Sequence, residues 1–107
     1  IFNGIFAILT LLIVVIFYKN INLTTILLFI LTLIAMFKWK TKNTLIIFLV
    51  GGFLGMLAEI IAVNYEVWNY SFSNFLNVPS WLFLFWGNAA IFIYRLSNEI
   101  KKIRMKI

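Results

Sequence analysis

The chain has 107 residues, 64% of them hydrophobic and 11% charged, with a mean hydropathy of +1.08 and a formal net charge of +6. Soluble domains carry about a quarter charged residues, and a core this small has no room for so much apolar surface, so an ordinary soluble domain is excluded and a single membrane domain over residues 1–107 is expected. The absence of cysteine rules out disulfides and thiolate chemistry, and the absence of histidine removes the commonest general base and metal ligand.

The first apolar run, residues 1–18, reaches Lys19-Asn20 without a charge. It has no basic leading region and no small-x-small cleavage site, which argues against a signal peptide. The chain opens at Ile1 rather than methionine, which leaves room for an upstream piece. The second run, residues 23–37, follows a short hairpin and tolerates Thr24, Thr25 and Thr32, whose hydroxyls can bond to carbonyls of their own helix. It is short for a hydrocarbon core that needs about 20 helical residues. Lys38-Trp39-Lys40-Thr41-Lys42-Asn43 reads as a basic loop with an interfacial tryptophan.

The third run, residues 44–63, is long enough to span. Residues 64–79 differ in kind: Tyr65, Trp68, Tyr70, Phe72 and Phe75 alternate with amides and hydroxyls around one charge, Glu66. Rings with polar tips suit a headgroup layer, so Trp68 and Tyr70 are expected as interfacial aromatics of an outer loop. Pro79 is expected in the first turn of a fourth span, residues 80–95, with Asn77 as its cap. Residues 96–107 then place Leu96, Ile100, Ile103 and Ile107 on one helical face beside a basic stripe, a tail suited to lie on an anionic membrane surface.

Charge gives these runs an orientation. Read as four spans, they put Lys38, Lys40, Lys42, Arg95, Lys101, Lys102, Arg104 and Lys106 on one side of a bilayer, eight of the nine basic residues, and Lys19 alone on the other. The positive-inside rule makes the crowded side cytoplasmic, with both termini there. The same distribution accounts for the net charge without nucleic acid, which is not expected as a partner.

Glu59 is the one carboxylate inside a predicted span. Gly51, Gly55 and Glu59 recur every four positions, a small-residue stripe where another helix can approach closely, so Gly51 and Gly55 are expected as packing positions and Glu59 as an inward-facing group. An intramembrane carboxylate defaults to a functional hypothesis. The structural alternative is that Glu59 bonds to Trp81, Tyr65 or Asn88 and holds two helix ends together. Asn88, near the middle of the fourth span, needs a partner in hydrocarbon. Glu59, Asn88 and Trp81 together could form an aromatic-walled polar site, or Asn88 could make an ordinary interhelical hydrogen bond. Chemistry is further limited because Glu59, Glu66 and Glu99 are the only acids and Glu99 falls on the opposite side. A carboxylate metal site, a phosphate-binding glycine loop and a Ser-His-Asp arrangement are all out of reach, so no catalytic set, metal or cofactor is expected.

The second half carries a cadence: Gly55, Ala58-Glu59, Trp68-Asn69-Tyr70, Pro79-Ser80-Trp81-Leu82 and Trp86-Gly87-Asn88-Ala89. Over about residues 51–95 it resembles a group of small, uncharacterised polytopic membrane proteins of bacteria and archaea. More distantly it is similar to membrane proteins labelled as carotenoid biosynthesis proteins. The nearer resemblance implies no activity. The more distant one implies a polyisoprenoid substrate, and no catalytic set in this chain matches it.

The expected fold is all-α: an integral membrane bundle of four transmembrane helices with a C-terminal basic amphipathic helix, multi-pass in the cell membrane. The expected function is a non-catalytic membrane module, such as an accessory subunit, an assembly factor or a binder of lipid or another apolar ligand. The competing reading is a membrane enzyme or transporter half acting on an isoprenoid-like substrate or an ion, with Glu59 as its titratable group. Expected partners are the bilayer, anionic lipid at the tail, and another membrane protein or a second copy.

Overall fold

The computed structural model describes residues 2–70, 73 and 78–106. Their regular structure is helical throughout: α1 (Phe2–Phe17), α2 (Ile21–Lys38), α3 (Lys42–Asn64) and α4 (Leu82–Lys106). Two of these, α2 with 18 residues and α3 with 23, are long and apolar enough to cross a membrane. The 16 residues of α1 are apolar but rise only about 24 Å at 1.5 Å each.

Local chemistry sets most of the boundaries. Asn20 caps α2 by accepting from Leu23 N at 3.1 Å, which starts the helix two residues before the apolar run. Thr41 does the same for α3 through Thr44 N at 3.2 Å, drawing Lys42 and Asn43 into the first turn. Two expectations about the fourth helix need correction. Helix α4 begins at Leu82, with Leu82 N donating to Pro79 O at 3.2 Å, so Pro79 lies in the turn ahead of the helix rather than in its first turn. The proposed cap Asn77 lies outside the described residues. The span and the tail are also one unbroken helix, because no glycine or proline interrupts the chain after Ala89.

Helix α4 is the hub, packing chiefly on α3 and also on α1 and α2. Contacts at the two ends give an up-and-down course. At one end Asn3 Nδ2 of α1 donates to Phe92 O of α4 at 3.2 Å. Trp39, between α2 and α3, meets the Phe2 and Phe6 rings edge-on at 5.1 and 5.7 Å. At the other end the Thr25 and Ser80 hydroxyls lie 3.2 Å apart. Lys38, Lys40, Lys42 and Arg95 therefore gather at the first end, while Lys19, Glu59 and Glu66 belong to the second.

Polarity inside the bundle is inverted relative to a water-soluble protein. Asn3, Thr10, Thr24, Thr32, Thr44, Glu59 and Asn88 are buried, whereas Ile8, Val15, Ile26, Phe29, Ile46, Phe53 and Ile93 are all more than half exposed. In α3 the buried set is Thr44, Phe48, Gly52, Glu59 and Val63, a single stripe at helical spacing.

Candidate functional site

Glu59 sits between one and two turns before the end of α3 and is 8% exposed. Beyond Asn64 the chain reverses over the helix end. Glu66 N donates to Val63 O at 3.0 Å and Val67 N to Ala62 O at 2.9 Å, the paired closure that ends many helices on a left-handed residue. Glu66 is that residue, with φ 62°. The reversal carries the following segment back onto α3, where Trp68 Nε1 donates to Glu59 Oε2 at 2.9 Å and Tyr70 OH donates to the same oxygen at 2.6 Å. Burial, and after it the Glu59 carboxylate as hydrogen-bond acceptor, push the Tyr70 phenol well above its ordinary range, so it remains a donor.

Glu59 thus meets Trp68 and Tyr70 rather than the partners named from sequence. Tyr65 is largely exposed. Trp81 is buried against Phe85, with ring centroids 6.3 Å apart, and its Nε1 has no partner among the described residues. Asn88 joins a separate polar cluster. Its Oδ1 lies 2.8 Å from Thr32 Oγ1 of α2, and its Nδ2 donates to Thr10 Oγ1 of α1 at 3.4 Å. Thr32 also approaches Leu28 O at 2.8 Å, so its single hydroxyl proton serves one of two acceptors. Three helices meet at this amide. It also lines a cavity of about 160 Å³ between α1 and α4, walled otherwise by apolar side chains such as Leu11, Phe85 and Phe92.

The glycines of α3 face α4. A Cβ on Gly55 would fall within the Trp86 ring, one on Gly51 against Ala90 Cβ, and one on Gly52 would stand 2.7 Å from Phe83 O. From the facing side, a Cβ on Gly87 would meet Phe48. The seam between these helices is therefore closed by reciprocal small residues.

At the basic end, Arg95 stacks its guanidinium over Trp39 at 4.8 Å and donates to Thr44 Oγ1 at 2.6 Å. Sequence reasoning missed this arrangement. It placed Trp39 in a loop at the membrane interface, whereas the ring is packed among Phe2, Phe6 and Arg95 and joins three parts of the chain. The residues flanking Trp39 are all basic or polar, so only the tertiary contacts reveal it. The pairing of Glu59 with Trp68 and Tyr70 had a legible signal, since rings with donor edges follow closely on an acid at a helix end.

No family model matches this sequence, and comparison with characterised proteins and with solved structures finds no match. The cadence across residues 51–95 accordingly assigns no family, and the site's own geometry carries the functional argument.

Proposed function

We propose that this chain is a non-catalytic membrane module with four spans, an accessory or ligand-binding subunit whose basic end faces the cytoplasm. The inverted polarity carries the reading: buried amides, hydroxyls and a carboxylate under an apolar perimeter suit a lipid solvent, where interhelical hydrogen bonds replace water. Both intramembrane polar groups spend hydrogen-bonding capacity on structural partners, Glu59 on Trp68 and Tyr70, Asn88 on Thr32 and Thr10. The cavity beside Asn88 suits an apolar ligand or a segment of lipid chain, being close in size to cavities of about 150 Å³ that take up benzene.

The competing reading, a transporter half or membrane enzyme using Glu59, draws support from one observation: Trp68 and Tyr70 also line an open cavity at the bundle's acidic end. Glu59→Ala separates the two. A structural carboxylate predicts a lower melting temperature, with Glu59→Gln restoring most of it because the amide oxygen still accepts. Unchanged melting combined with lost ion flux in proteoliposomes would overturn the non-catalytic reading. Mass spectrometry of lipid or pigment retained in mild detergent identifies the occupant of the cavity beside Asn88.

A further inference from the structure

From the cavity at the acidic end of the bundle, we infer that this protein binds an organic ammonium group there. The cavity encloses about 530 Å³ and is lined by Val63, Glu66, Trp68, Asn69, Tyr70 and Ser73. Trp68 and Tyr70 have committed their N–H and O–H to Glu59, at 2.9 and 2.6 Å, so what they offer a ligand is π surface rather than a donor. A π face beside a carboxylate is the chemistry that recognises ammonium and quaternary ammonium groups. Glu66 supplies the carboxylate in the lining, and no lysine or arginine lies anywhere in residues 64–78. An anion would meet neither a cation nor those two donors.

The backbone at Glu66 gives a second, independent reason. A helix stop of this geometry is ordinarily glycine, and a left-handed non-glycine residue costs about 1–2 kcal/mol. A glutamate held there at a cost to stability is explained by what its side chain does in the cavity. Glu59, by contrast, is a positioning residue: it does not line the cavity but holds the two rings that do.

The ammonium can arrive on a lipid headgroup or on a soluble amine. The inference does not rest on the four-span reading, because a soluble cation tests the cavity with the protein in detergent. The full chain in dodecyl maltoside is titrated with tetramethylammonium chloride against sodium chloride at equal ionic strength, following tryptophan fluorescence. Saturable change with tetramethylammonium alone is expected. It should weaken about tenfold in Glu66→Gln and in Trp68→Leu, in keeping with a desolvated cation–π contact and one lost charge. Glu66→Gly should bind as weakly as Glu66→Gln yet melt at a higher temperature than the parent chain, which excludes misfolding as the cause. In nanodiscs, competition by phosphatidylethanolamine but not by phosphatidylglycerol identifies a headgroup ligand, and equal binding in both identifies a soluble one. A response identical to that of sodium chloride, or unchanged affinity in Glu66→Gln, would overturn the inference.

Discussion

Single side chains divide this molecule into positions that tolerate change and positions that do not. Gly55 has the Trp86 ring where its Cβ would be, whereas its neighbour Leu54 points outward and is more than half exposed. Gly55→Leu should therefore cost about 1–3 kcal/mol by forcing α3 and α4 apart, while Leu54→Ala shifts stability far less. A detergent-unfolding series on both variants checks this, with Gly4→Ala as a control because a Cβ at that position would meet no atom within 4 Å. At Glu59, truncation leaves the Trp68 N–H and the Tyr70 O–H without their acceptor, so Glu59→Ala should cost about 1–3 kcal/mol. Tyr70 adds a pH dependence. Its phenol is raised above the ordinary value of 10.0, so the neutral form is favoured in the fold. The stability it contributes is present below pH 10 and is lost as pH rises beyond that point, where the unfolded chain ionises first. Melting temperatures between about pH 9 and pH 12 should fall less steeply in Tyr70→Phe than in the parent chain.

At the scale of elements, α4 does two jobs with one helix. Its first half is the packing surface for the other three helices. Its second half leaves Leu96, Ile100 and Ile103 exposed along one face, with Lys101, Lys102 and Arg104 close by. An apolar stripe that no other helix covers, beside basic residues, suits the surface of an anionic bilayer. A peptide of residues 96–107 should bind phosphatidylglycerol vesicles and be released as salt rises, since each basic residue near such a surface contributes about 1 kcal/mol. Binding indifferent to lipid charge would remove this role from the tail.

For the whole molecule, the segregation of charge between the two ends sets the expected orientation. The end bearing Lys38, Lys40, Lys42 and Arg95 should lie in the cytoplasm and the end bearing Glu59 and Glu66 outside. The chain contains no native cysteine, so Asn69→Cys and Lys40→Cys each provide a single label site. An impermeant maleimide applied to intact cells should label Asn69→Cys and spare Lys40→Cys. The reverse pattern would invert the topology, and labelling of both would contradict a fixed orientation.

Periodicity and composition were enough to determine the helical class and four helices, because each is a continuous apolar run bounded by Asn20, Thr41 or a polar turn. They also singled out Glu59, Asn88, Gly51 and Gly55, since glycines and polar residues stand out against an apolar background. What they could not determine was partnership. Whether Glu59 meets Asn88 or Trp68 depends on the left-handed turn at Glu66, a conformation that composition alone does not reveal in a non-glycine residue. Whether Trp39 faces a headgroup layer or Arg95 depends on where α1 and α4 cross beside it. Such contacts join residues far apart in the chain, and hydrophobic period records which face of a helix is turned inward but not what waits there.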